Sequence, residues 1–255
     1  MKALITGASS GIGMDMARYM SNELGIDLIL VARRATRLEK LKKELKTDIK
    51  IISLDLSDFT NVQKLYNETK EEDIDILINN AGFGLFGEFH QTDLDTEINM
   101  IDLNIKAVHY LTKQFLVDFY KKNSGYILNV ASSAGFMAGP KLSTYYASKN
   151  YVLRLSQVVY EEVKRNKKNI HISVLCPGPV DTEFNEVAHG EFHTSSASSE
   201  YVAKYAIDKM FKNKLVIIPT LKMKLAIFMT RLVPMKLLLH ITYNIQDRKT
   251  KKRVK

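Results

Sequence analysis

The chain has 255 residues, 45% of them apolar, a formal charge of +9 and one cysteine, Cys176. The length suits one large α/β domain, and a lone cysteine excludes an intramolecular disulfide and any cysteine-rich zinc site. Of the 37 basic and 28 acidic residues, 10 basic and one acidic (Asp247) lie in residues 222–255; the remaining 27 of each leave residues 1–221 neutral, which argues against a nucleic-acid partner.

The elements alternate from the start. Lys2 to Thr6 reads as a short buried strand, followed by a turn, Gly7 to Gly13, and a helix from Met14 to Leu24. Asp27 to Ala32 (DLILVA) is a second strand; Arg34 to Lys46 is a charged helix with Leu38, Leu41 and Leu45 on one stripe. Lys50 to Leu54 is a third strand, with a helix from Asn61 to Lys70 after it. Ile74 to Ile78 is a fourth strand, and helices run from Leu94 to Asn104 and on to about Lys121. Gly125 to Val130 is a fifth strand, Thr144 to Asn166 a long helix, Ile170 to Leu175 a sixth strand and Leu215 to Ile218 a seventh. Short apolar strands alternating with helices imply βαβ units and therefore one doubly wound, parallel, roughly seven-stranded sheet covered on both faces. Ligands of such sheets bind beyond the carboxyl ends of the strands.

Two groups of residues lie at those ends. Thr6-Gly7-x-x-x-Gly11-x-Gly13 joins a strand to a helix, where glycines let the backbone approach a pyrophosphate and the helix N-terminus offers N–H groups. Strand two ends in Ala32-Arg33-Arg34, with no acid to bond the ribose hydroxyls of NAD. Arg33 can instead clasp the 2′-phosphate of NADP, or be a solvated arginine at a helix start. Asp55 follows strand three, facing an adenine or capping the next helix, a role that suits Ser57 or Asp58 better. Tyr145 and Lys149 are four residues apart on the long helix, hence on one face. An ammonium beside a phenol draws the phenol pKa downward, so that it can exchange a proton with an alcohol or carbonyl oxygen.

Together TGASSGIG (6–13), Asp55, NNAG (79–82), LNIKA (103–107), Ser132, YYASK (145–149) and PGPVDT (177–182) resemble the short-chain dehydrogenase/reductase family over residues 2 to about 219. The resemblance implies an NAD(P)-binding Rossmann-type catalytic domain in residues 1–221, with residues 222–255 a basic, apolar helical extension. It implies Asn104, Ser132, Tyr145 and Lys149 as the catalytic set. Tyr145 is then the acid/base, Ser132 holds the substrate oxygen, Lys149 binds the nicotinamide ribose, and Asn104 holds a relay water. For the cofactor it implies Gly7, Ser9, Ser10, Gly11, Ile12, Gly13, Arg33, Asp55, Leu56, Asn80, Ala81, Gly82, Tyr145, Lys149, Pro177, Gly178, Val180 and Thr182. NADP(H) is favoured through Arg33, helped by Arg34, with NAD(H) the alternative, because Ser10 stands where many NADP-preferring members carry a basic residue. Tyr146, three residues before Lys149, points elsewhere. The family's lid corresponds to Glu183 to Glu200, and the family's assembly is a homodimer or homotetramer.

The implied activity is interconversion of a carbonyl and a secondary alcohol, on a small, apolar substrate. The alternatives are reduction of a 3-oxoacyl thioester and a catalytically silent nucleotide sensor. No metal is expected, since there is no HExxH motif and the histidines are scattered. No secretory leader is expected either, because Met1 to Ala3 run straight into the first strand, and the expected location is cytoplasmic. Leu225 to Ile241 is apolar but broken by Arg231, Pro234, Lys236 and His240, so a spanning helix is rejected in favour of two short helices kinked at Pro234. These helices either touch a membrane peripherally, with lysines on anionic lipid, or pack over the cleft or a second subunit.

Overall fold

The computed structural model of the chain describes residues 1–184 and 196–251. Seven strands form one parallel sheet: β1 (Lys2–Thr6), β2 (Asp27–Ala32), β3 (Ile49–Ser53), β4 (Ile76–Asn79), β5 (Gly125–Val130), β6 (Ile170–Leu175) and β9 (Val216–Ile217). Their order is β3-β2-β1-β4-β5-β6-β9. The order reverses beside β1, which pairs with β2 on one side and β4 on the other, and this opens a crevice at the carboxyl end of β1. Between β6 and β9, β7 (Val180–Asp181) and β8 (Ala197–Ser198) form a separate parallel pair.

The strand alternation builds two cores. Ala3, Ile5, Leu28 and Leu30 face one side of the sheet, where they meet Met16 and Met20 of α1 (Gly11–Asn22), and Leu38 and Leu41 of α2 (Ala35–Lys42). Leu4, Ile29, Val31 and Ile127 face the other side. There they pack on Val62 and Leu65 of α3 (Phe59–Thr69), Phe115 and Phe119 of α5 (Val108–Lys122), and Val159 and Val163 of α6 (Ser143–Arg165). Each strand is thus apolar on both faces, as a doubly covered parallel sheet requires. Asn79, Asn129 and Ser173 are buried polar residues in mid-sheet. The Asn79 amide donates to Asn129 Oδ1 at 2.8 Å and to Thr112 Oγ1 at 3.1 Å, and the Asn129 amide donates to Ser156 Oγ at 3.0 Å.

Several boundaries differ from the sequence expectation for local reasons. Helix α1 starts at Gly11, inside the glycine turn, three residues before the expected start at Met14. Between α4 (Leu94–Ile101) and α5, residues Asp102–Ala107 wind as a π-helix around buried Asn104. Helix α7 (Ser199–Phe211) was not anticipated. The run of small polar residues before it reads as loop, yet Ser198 caps it by accepting from the Tyr201 N–H, and Val202, Ala203, Ala206, Ile207 and Met210 bury one face. The extension forms α8 (Leu221–Thr230) and α9 (Met235–Lys251), broken at Pro234; α9, at 17 residues, is not short. Among the described residues no helix is long and apolar enough to cross a membrane.

Candidate active site

The ends of β1, β4, β5 and β6 surround a cleft of about 390 Å³. Eighteen of the twenty residues expected from the sequence line it; Gly13 and Asn104 stand behind its wall. Of the lid expected over Glu183 to Glu200, residues 185–195, with Val187, His189 and Phe192, lie outside the described residues.

The glycine turn is held by the segment after β4. Thr6 Oγ1 accepts from the N–H groups of Asn80 and Ala81 at 3.0 and 3.1 Å, while the Asn80 amide donates to the carbonyls of Thr6 and Gly7 at 3.0 and 3.1 Å. Gly7 has φ +67°, which disfavours a side chain. A Cβ on Gly13 would stand 2.4 Å from Asn80 Nδ2 and 2.6 Å from the Gly7 carbonyl, so here the glycine serves close packing. Ser10, at the N-cap of α1, makes no side-chain cap bond. The helix therefore presents its first-turn N–H groups and positive dipole end to the cleft, a cradle that fits a dinucleotide pyrophosphate.

At the outer end, Arg33 lines the cleft but its side chain is 67% exposed, and its ion pair with Asp55 is a loose 3.5 Å. Asp55 Oδ1 accepts from the Ser57 N–H and hydroxyl at 3.0 and 2.8 Å. Burial alone would raise the Asp55 pKa, but these bonds and Arg33 hold it below the usual carboxylate range. Asp58 caps α3 by accepting from the Thr60 N–H at 2.8 Å. The more firmly seated cation is Arg34. Its guanidinium donates to Ser10 Oγ at 3.0 Å, to Ser9 Oγ at 3.3 Å and to Glu183 Oε2 at 3.0 Å. Glu183 also pairs with Arg37. Glu183 was expected only as the first residue of the lid. Its partners lie 149 and 146 residues away, so sequence spacing held no signal of this contact.

At the inner end, Tyr145 bonds Ser132 through its hydroxyl, and Lys149 donates to the Val130 carbonyl at 2.9 Å, with its Nζ 5.9 Å from the Tyr145 ring centroid. Phe184 packs on Tyr145 with ring centroids 5.2 Å apart. Burial raises the Tyr145 pKa to about 12 although the Ser132 bond lowers it, and burial depresses Lys149 to about 8. The sequence expectation that the ammonium draws the phenol downward is therefore overridden: removal from water dominates both groups and pushes them in opposite directions. Asn104 is wholly buried. Its amide donates to the Phe83 carbonyl at 2.9 Å and Ser148 Oγ at 3.1 Å, and its Oδ1 accepts from the Phe83 N–H at 3.1 Å. The Ser148 hydroxyl in turn donates to the Tyr145 carbonyl at 2.7 Å, linking Asn104 to the tyrosine's backbone.

Tyr146 does point elsewhere than Tyr145. Its hydroxyl accepts from Gln246 Nε2 of α9 at 3.1 Å, and both residues line the cleft, so the extension contributes to the wall. Phe83 and Leu142 also line the cleft, whereas Phe89 is exposed and Phe136 packs against the cluster that contains Val152 and Leu153.

A family description, short chain dehydrogenase, matches residues 1–191. The NADP-dependent 3-hydroxy acid dehydrogenase of Schizosaccharomyces pombe is 34% identical over 208 residues, covering 79% of this chain and 78% of that protein. Among solved structures, a short-chain dehydrogenase from Sphingobium yanoikuyae in complex with NADPH superposes with a TM-score of 0.80 at 30% identity, covering 86% of this chain and 88% of that one. The bulky-bulky ketone specific alcohol dehydrogenase from Comamonas testosteroni gives a TM-score of 0.77 at 28% identity, over 90% of this chain and 91% of that one.

Proposed function

The chain belongs to the short-chain dehydrogenase/reductase family, and we propose that it uses NADP(H) to interconvert a carbonyl and a secondary alcohol, with Tyr145 as the acid/base. It is an oxidoreductase that acts on CH–OH groups with a nicotinamide cofactor. The observation that carries the finer assignment is the convergence of Ser132, Tyr145 and Lys149 on one wall of the cleft whose other end is the glycine cradle.

When bound, the nicotinamide supplies or accepts the hydride. Ser132 and Tyr145 hold the substrate oxygen by hydrogen bonds. With its pKa near 12, Tyr145 carries its proton through the neutral range and delivers it to that oxygen during reduction. The Lys149 ammonium stabilises the phenolate left behind. Since burial brings its pKa to about 8, this charge is present below pH 8 and lost above it. Asn104, tied to the tyrosine's helix through Ser148, positions the base of the site. Gly7, Gly11 and the start of α1 hold the pyrophosphate, while Arg34, Ser9 and Ser10, with Arg33 beside them, hold the 2′-phosphate. The NADP and NADPH in the names of the S. pombe and S. yanoikuyae relatives support this coenzyme preference.

Phe83, Leu142 and Phe184 at the inner end favour an apolar carbonyl compound, as does the ketone specificity named for the C. testosteroni relative. Reduction of a 3-oxoacyl group is the second activity the observations favour, through the 3-hydroxy acid in the S. pombe relative's name and the polar Tyr146–Gln246 pair. Exposed Ile98 on α4, Val117 on α5, and Tyr151 and Val158 on α6 support a homodimer or homotetramer through those helices.

The test is coenzyme oxidation at saturating NADPH or NADH against ketones, aldehydes, steroids and 3-oxoacyl thioesters. The expected result is turnover with NADPH at least about tenfold above NADH. Turnover with NADH alone overturns the roles given to Arg33 and Arg34, and no carbonyl reduction with either coenzyme overturns the activity itself.

A further inference from the structure

Helices α8 and α9 have two unlike faces. The inward face is specific: Leu238, Thr242 and Gln246, spaced by four, are buried along α9, and Asp247 pairs with the nearly buried Lys141 at 2.5 Å. The outward face is apolar. Of the nineteen large apolar side chains exposed among the described residues, ten lie between Leu221 and Ile245. Leu225, Phe228 and Leu232 are 63%, 56% and 64% exposed, and Met235, Leu237 and Ile241 continue the surface. Such a concentration marks a contact surface, since scattered apolar residues are normal and a contiguous band is not.

The charges on that surface select its partner. Lys222, Lys224, Arg231 and Lys236 are all exposed, and no acidic residue occurs between 221 and 246. A second copy docking symmetrically on this face would bring together two surfaces that both carry these cations, with no acid from residues 221–246 to pair them. An anionic lipid surface accepts both the apolar side chains, which sink below the headgroups, and the cations, which stay among them. The sequence adds six further basic residues after Asp247.

We propose that the outward face of residues 221–245 docks on an anionic lipid surface, lying in the interface without crossing it. The inward face meanwhile keeps Gln246 in the cleft wall, so docking brings the roof of the active site to the bilayer.

The test is co-sedimentation of the full chain with phosphatidylcholine vesicles, with and without phosphatidylglycerol, at low and high salt. The protein should pellet with the phosphatidylglycerol vesicles at low salt and be released at high salt. Replacing Lys222, Lys224, Arg231 and Lys236 together by Gln should weaken partitioning at least about tenfold, since each cation near an anionic surface contributes substantially. Phe228→Asp with Leu232→Asp should do the same. Both variants should reduce a water-soluble carbonyl within about twofold of wild type, as exposed substitutions leave the fold intact. Absence of binding to anionic vesicles at low salt overturns the proposal. So does a dimer, seen by sedimentation velocity, that Phe228→Asp dissociates while vesicle binding is unchanged. Vesicle binding is read without turnover, so this result stands apart from the assignment of the reaction.

Discussion

The cleft and the C-terminal extension solve opposite problems. In the cleft, polar groups are tied to one another: Thr6 to Asn80 and Ala81, Asn104 to Phe83 and Ser148, Arg34 to Ser9, Ser10 and Glu183. The buried Thr6 and Asn104 hold fixed positions because leaving a buried polar group unsatisfied costs about 1–3 kcal/mol, whereas the more exposed Arg34 is held by several bonds at once. The extension spends its sequence differently, with one stripe buried on the body and the remainder apolar and basic toward the outside. Chemistry at the cleft is therefore sensitive to single atoms. At the extension's outer face, composition counts for more than the identity of any one residue.

Substitutions can break or sharpen this contrast. Lys149→Met strikes the cleft hard, because it removes the buried ammonium beside Tyr145. Turnover should fall roughly 10²–10³-fold, as when one preorganised donor is lost. In the wild type, reductive turnover should decline as pH rises through about 8, where Lys149 loses its proton, and Lys149→Met should erase that limb of the profile. A profile that keeps the limb in the variant would assign it to another group.

Gly13→Ala should destabilise the fold by about 1–3 kcal/mol, because its Cβ overlaps Asn80 and the Gly7 carbonyl and over-packing is not relieved by a backbone held on both sides. Chemical denaturation reads this, and NADPH affinity should fall with it; an unchanged midpoint would mean that the turn is looser than its hydrogen bonds indicate. Arg34→Ala should weaken NADPH binding about tenfold and leave NADH binding unchanged, measured by nicotinamide fluorescence. Equal losses for both coenzymes would make Arg34 a general support of the turn instead. The smallest effect belongs to the extension: Phe228→Asp with Leu232→Asp should leave turnover of a water-soluble carbonyl within about twofold.

The sheet was legible in the sequence because each strand is a short apolar run bounded by turns, and the observed ends of β1, β2, β5 and β6 coincide with those runs. The cleft was legible because its motifs stand at strand ends, where a doubly wound sheet gathers its ligands. What escaped depends on contacts remote in sequence or on burial depth. The Arg34–Glu183 pair joins residues 149 positions apart. The pKa directions of Tyr145 and Lys149 follow from how deeply α6 sinks into the body, which a four-residue spacing does not encode. Helix α7 was hidden by polar residues that serve as its cap, and the π-helix around Asn104 by an ordinary helical pattern on either side.

The central assignment is that Tyr145 transfers the proton, and Tyr145→Phe tests it most directly. The variant keeps the ring that packs on Phe184 and loses only the hydroxyl bonded to Ser132. Carbonyl reduction with NADPH should fall by about 10²–10⁴-fold while the Kd for NADPH, from fluorescence titration, stays within about threefold of wild type. Retention of near wild-type turnover by Tyr145→Phe would contradict the assignment.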